Sequence, residues 1–185
     1  MAGEKKRHFN RRSYLEDFQK TVSGDYVYTG ATYSFASANG MSRKQALTML
    51  WLFGGVLLVS AVVQGCLPAG SMIGCAYVIL PYGGMLVCAV LSLWALGRLS
   101  VNRDPLRAYI HKATVEALPG RSLFAFIFSA AALVGQLIYL FAHGFEALSL
   151  LTLALFAADT ASSFLFYRTA RMLKWEKKDG DTSLC

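Results

Sequence analysis

Apolar and polar positions along the chain separate into long uncharged stretches divided by short basic ones. Residues 46–66, 70–96, 122–141 and 147–167 contain no Lys or Arg, and each supplies the roughly 20 helical residues needed to cross a hydrocarbon core about 30 Å thick. The connections 67–69 and 142–146 are very short, so consecutive helices are predicted to return antiparallel, because backbone groups in lipid must bond internally. The predicted fold is an all-α membrane protein of four transmembrane helices, arranged as two antiparallel hairpins over residues 46–168. A segment 1–45 precedes them, a loop 97–121 divides them, and a basic tail 169–185 follows.

Composition agrees with this pattern. At 55% hydrophobic and 16% charged residues, the chain is too apolar for an ordinary soluble domain. Its net charge of +7 would suggest nucleic acid in a soluble protein. Here the basic residues flank the apolar stretches: Lys5 to Lys44 before the first, Arg98 to Arg121 between the second and third, and Arg168 to Lys178 after the fourth. The two remaining turns have none. The positive-inside rule then places both termini and the central loop in the cytoplasm of a multi-pass cell-membrane protein. No nucleic-acid partner is expected, and little surface is left outside for a large ligand. The first apolar run lies too far along the chain for a cleavable signal peptide, and neither Met-Ala-Gly at the start nor Ser-Leu-Cys at the end fits a lipid-anchor motif.

Two polar segments carry local signals. Tyr26-Val27-Tyr28 and Thr32-Tyr33-Ser34-Phe35, separated around Gly30, suggest a small β-hairpin. An isolated hairpin is only marginally stable in water, so this one either docks on helix ends, headgroups or a protein partner through Tyr26, Tyr28, Tyr33 and Phe35, or is a loose tail. In the loop, Asp104-Pro105-Leu106 reads as a helix start and Pro119-Gly120 as its stop. Leu106, Tyr109, Ile110, Ala113 and Ala117 share one face, which predicts a short helix on the inner leaflet. Arg103, Arg107 and Lys112 are candidates for anionic lipid, with a purely topology-setting loop as the alternative.

Candidate chemistry is sparse. Cys66 and Cys75 flank the first outer turn and are predicted either to form a disulfide, stabilising by on the order of 2–3 kcal/mol, or to remain free; Cys88 and Cys185 read as inert thiols. No zinc-type spacing, phosphate loop or catalytic motif is present, so neither cofactor, metal nor enzymatic activity is expected. The string CLPAGSMIGCAYVILPYGG, with its paired cysteines and following PYGG, resembles small uncharacterised four-span membrane proteins of Gram-positive bacteria. That resemblance extends loosely over most of the chain and implies a bacterial cell membrane, without any activity to carry over.

Asp159 is the one acidic residue deep in an apolar stretch. A carboxylate at a helix centre costs about 2.5–3.5 kcal/mol on insertion scales, so it should face the bundle interior. Counting 1.5 Å per residue sets it level with Ser129 and Tyr82, its expected partners, with Ser162 and Ser163 one turn on. Pro81 interrupts the second span at that depth and is expected to kink it, freeing the Tyr77 carbonyl. Such breaks serve ions or substrates in transporters, and equally occur as plain packing features. Gln64 and Gln136 read as interhelical hydrogen-bonding groups or solvated ends. The leading functional expectation is an accessory or scaffold protein contacting a protein partner or membrane lipid from its cytoplasmic face. The alternative is a small oligomeric transporter or channel with an ion- or proton-linked site at Asp159. Small residues, including Gly70 and Gly74, would allow either bundle closure or a homo-oligomer.

Overall fold

The computed structural model describes residues 18–20, 26–28, 30–36 and 40–178, the first two segments by backbone alone. Cys185 and the end of the tail lie outside these residues, as do the side chains of Tyr26 and Tyr28. The elements in chain order are β1 (Phe18–Lys20), β2 (Tyr26–Tyr28), β3 (Thr32–Ala36), α1 (Arg43–Cys66), α2 (Gly70–Gly74), α3 (Ala76–Val101), β4 (Leu106–Arg107), α4 (Ala108–Thr114), α5 (Ala117–His143), α6 (Ala147–Met172) and β5 (Lys174–Lys178). Helices α1, α3, α5 and α6 are long and apolar enough to cross a membrane, which makes this a mostly helical, multi-pass membrane protein.

Each boundary has a local cause. α1 starts at a capping box: the Ser42 hydroxyl accepts from the Gln45 N–H, and the Gln45 side-chain oxygen accepts from the Ser42 N–H at 3.0 Å. Two orphan donors are thereby satisfied. The predicted second span is divided: Cys75 is extended (φ −111°, ψ 99°), so α2 is a single separate turn and the main helix begins at Ala76. Pro81 lies inside α3. The predicted loop helix also differs. Leu106 and Arg107 are paired with β3, α4 covers only 108–114, and Asp104 accepts from the Phe35 N–H instead of capping a helix. Pro119 and Gly120 do not stop a helix; they lie in the first turn of α5, where a missing N–H removes no intrahelical bond.

The four long helices form a closed ring in the order α1, α3, α5, α6. Their inward stripes are small or polar. On α6 the buried residues are Ser149, Thr152, Phe156, Asp159, Ser162, Ser163, Phe166 and Ala170; on α5 they include Ser122, Ala125, Ser129, Ala132, Gly135 and Gln136. Large apolar side chains such as Leu80, Trp94 and Phe141 point outward and are more than two-thirds exposed. This is the distribution of helices that associate in lipid by close packing and interhelical hydrogen bonds, where burying a leucine against leucine gains nothing over burying it in acyl chains. Backbones approach closely at glycine: a Cβ on Gly135 would lie 2.9 Å from the Tyr77 carbonyl oxygen, and one on Gly84 would lie 3.0 Å from the Phe128 ring. The carbonyl that Pro81 cannot engage is thus the one packed against α5 at Gly135. Within α2, Gly70 lies under the Tyr139 hydroxyl while Gly74 has open space.

At the end where α1 begins and α6 finishes, β4, β3 and β5 form an antiparallel sheet in that order. β2 pairs with β1, and β3 with β4 and β5, so the hairpin expected across Gly30 does not form. The pairings that win give β3 two neighbours and a buried face. Tyr33 stacks on His111 at 4.1 Å, Phe35 meets the edge of Trp175, and Leu106, Ile110 and Leu118 join Leu50, Leu96, Leu99 and Phe166 in one cluster. The bundle core therefore continues into this cap. Arg43 ties α1 to the end of α3 through the carbonyls of Leu99 (3.1 Å) and Asn102 (2.5 Å), with its guanidinium over the Trp175 ring.

Candidate functional site

Asp159 is fully buried on the inward stripe of α6. Its partner is on α1: Gln64 Nε2 donates to Asp159 Oδ2 at 2.5 Å. Ser60, one turn below Gln64, accepts weakly from the same nitrogen at 3.5 Å and points to the Leu155 carbonyl. The expected partners lie nearby but bond elsewhere. Tyr82 donates its hydroxyl to the Ala61 carbonyl at 2.9 Å, and its ring meets Phe156 edge-on. Ser129 pairs with Ser163 across α5 and α6 at 3.1 Å, while Ser162 is buried beside them.

Gln64 reaches Asp159 because α1 is short at this end. The contacts of Ser60 with Leu155 and of Gln64 with Asp159 set the close of α1 well inside the start of α6, which extends past it by about one and a half turns, roughly 8 Å. Level-by-level counting from the helix ends assumed equal heights and so missed the pair. The available signal was Gln64 itself, an amide in an otherwise apolar run that α1 buries completely.

Towards the far end the same interior holds Gln136, whose nitrogen donates to the Ser149 carbonyl at 3.0 Å, together with Ser71 and Thr152. Several buried atoms in this column have no hydrogen-bond partner among the described residues: Asp159 Oδ1, Gln64 Oε1, Gln136 Oε1 and the hydroxyls of Ser71 and Ser149. Buried polar atoms are ordinarily paired, so this concentration marks the column as the chemically unusual part of the protein. A groove of about 600 Å³ between α1 and α6, with Trp51, Val56, Val59 and Leu155 in its wall, reaches Ser60 from the apolar outer surface.

The cysteine expectation is corrected. Cys66 and Cys75 are free thiols, the first exposed at the end of α1 and the second half-buried in the break between α2 and α3. Cys75 lies one helical turn beyond the connection, at the extended residue between α2 and α3, while Cys66 closes α1, so residues 67–74, which include a helical turn, separate the two thiols. Cys88, on α3, is free and half-buried.

At the basic end, Arg103 and Arg107 line a polar cavity of about 310 Å³ with Asn102 and Tyr109. Asn102 also borders an apolar groove of about 470 Å³ along α3, formed by Val90, Leu93, Trp94, Gly97 and Val101 with Arg98 at its edge. Lys112 is exposed on α4 outside this cavity. Of the tyrosine-rich segment, Tyr33 and Phe35 are half-buried in the cap's aromatic cluster. His111, between Tyr33 and Trp175, sits 3.5 Å from Glu116; burial pushes its imidazole below the usual range, opposed by the Glu116 carboxylate. No group of three or more His, Cys, Asp or Glu placed to hold a metal occurs among the described residues. Comparison with protein families, characterised proteins and solved structures returned no match.

Proposed function

We propose that this chain is a small accessory protein of a bacterial cell membrane, with both termini cytoplasmic and its helices paired as two hairpins, that binds a protein partner or anionic lipid through its cytoplasmic face. The observation that carries this reading is the cap. Three sequence-distant segments are knit into one sheet over the helix ends, and its rim exposes Arg103, Arg107, Lys112, Lys174, Lys177 and Lys178. A basic surface at that position suits acidic protein segments and anionic headgroups, and the positive-inside rule supports its orientation. The adjoining apolar groove at Trp94 supports the lipid arm, because a phospholipid presents an acyl chain beside its charged head.

The test is affinity purification from native membranes in mild detergent, comparing the full chain with one lacking residues 1–29. That deletion keeps β3, whereas removal of residues 1–40 would take away the central strand of the cap and confound binding with folding. A stoichiometric protein partner, or co-purified anionic phospholipid diminished by Arg103→Ala with Arg107→Ala, is the expected result. Neither partner nor lipid retention with any chain would refute the reading. A second reading, a small oligomeric transporter or channel with an ion- or proton-linked site at Asp159 near Pro81, is favoured by one observation: Asp159 is wholly buried with no basic residue in any of the predicted spans. Proton or sodium flux into vesicles, compared with Asp159→Asn, tests it.

A further inference from the structure

The unpartnered atoms of the buried column include a matched pair. Gln64 and Asp159 are joined by one hydrogen bond, Nε2–H to Oδ2, and the other oxygen of each side chain, Gln64 Oε1 and Asp159 Oδ1, has no partner among the described residues. Both are acceptors when the carboxylate is ionised. A carboxamide and a carboxylic acid are complementary in a way that an amide and a carboxylate are not. The acid can accept one hydrogen bond on its carbonyl oxygen and return a second from its hydroxyl, closing a two-bond ring. A single proton on Asp159 Oδ1, shared with Gln64 Oε1, would supply the missing donor for both atoms.

We infer that Gln64 and Asp159 form a carboxamide–carboxylic acid pair that binds one exchangeable proton inside the membrane. This deepens the second reading above, which it rests on only for the location of the site. The binding step is simple: hydronium gives its proton to Oδ1 and leaves as water, the carboxylate becomes neutral, and nothing is oxidised.

Two observations favour a proton over a metal ion. Hard cations such as calcium and magnesium collect six or more oxygen ligands. Here the two Asp159 oxygens, Gln64 Oε1 and the Ser60 hydroxyl are the side-chain oxygens at hand, short of that shell. An uncompensated carboxylate in this environment is also strongly disfavoured, and no charge on the facing elements offsets it. From α3 the titratable neighbour is Tyr82, with Cys66 on α1 acting on Tyr82 in turn. α5 presents Ser129, which does not titrate, and α1 presents Ser60 and Gln64.

Infrared difference spectroscopy of the protein reconstituted into lipid vesicles tests the inference directly. At neutral pH the wild type should show a carboxylic-acid C=O band that shifts in D2O and is lost in Asp159→Asn, a variant whose amide retains the shape needed for folding. In Gln64→Leu the band should move to higher wavenumber, because the carbonyl loses the N–H bonded to it. Raising the pH should convert the band to carboxylate absorption. The inference is overturned if Asp159→Asn removes no acid band at neutral pH, or if Asp159 contributes a carboxylate signal that responds to added sodium. Proton flux is a separate measurement: its absence would remove the transport reading and leave the proton-binding pair standing, whereas absence of the band would remove the pair whatever the flux.

Discussion

Single residues set how closely this bundle packs. Gly135 is the clearest case: Tyr77 presents its carbonyl oxygen where a Cβ would stand 2.9 Å away, and backbone cannot swing aside as a flexible side chain would. Gly135→Ala should therefore destabilise the bundle by about 1–3 kcal/mol, the range for overpacking a filled core, whereas Gly74→Ala, with open space around it, should be near neutral. Unfolding in mixed detergent micelles would measure the difference, and equal stabilities would contradict the close approach. Asp159 was legible in the sequence as an anomaly, and burial in the bundle follows from the cost of exposing it to lipid. Its partner was not legible, because pairing depends on where α1 ends relative to α6, a height difference that a count along either helix does not contain.

Elements show a second kind of dependence. The four long helices follow from their apolar lengths, but the strands of the cap exist only because three remote segments meet. A two-residue strand such as β4 has no independent stability and is held by β3 and by the burial of Leu106. His111 sits in this assembly, and its titration should be felt there. Its folded-state proton affinity is depressed by burial, so the contribution His111 makes to the cap's stability is fully present above the ordinary histidine value of about 6.5 and is lost as pH falls through the lower folded value. In a chain carrying Trp51→Phe and Trp94→Phe, Trp175 emission should shift to the red on acidification below about that value. His111→Phe, which preserves the ring stack, should abolish the shift. A pH-independent spectrum in the histidine-containing chain would show that the cap does not open there.

For the whole molecule, the distribution of charge is the strongest constraint. The cap and every described Lys and Arg side chain beyond the helices gather at one end, while the far turn between α5 and α6 exposes Phe145 and carries no Lys or Arg. In a cysteine-free background, Phe145→Cys should react with a membrane-impermeant maleimide added to intact cells, and Lys174→Cys should react only after permeabilisation. The reverse pattern would invert the proposed orientation and move the basic cap outside.

The sequence alone determined the number and approximate extent of the membrane helices, because the cost of placing Lys or Arg in hydrocarbon leaves a long uncharged run few alternatives. It also determined the segregation of basic residues and the singularity of Asp159. Tertiary structure alone decided the rest: the break at Cys75, the start of α5 ahead of Pro119, the free thiols, the sheet that replaced a local hairpin, and the Gln64–Asp159 pair. Each of these depends on relative heights of helices or on contacts between distant segments. Hydrophobic patterning reports which residues avoid water, and in lipid, where the outer surface is apolar as well, it carries little information about which of them face one another.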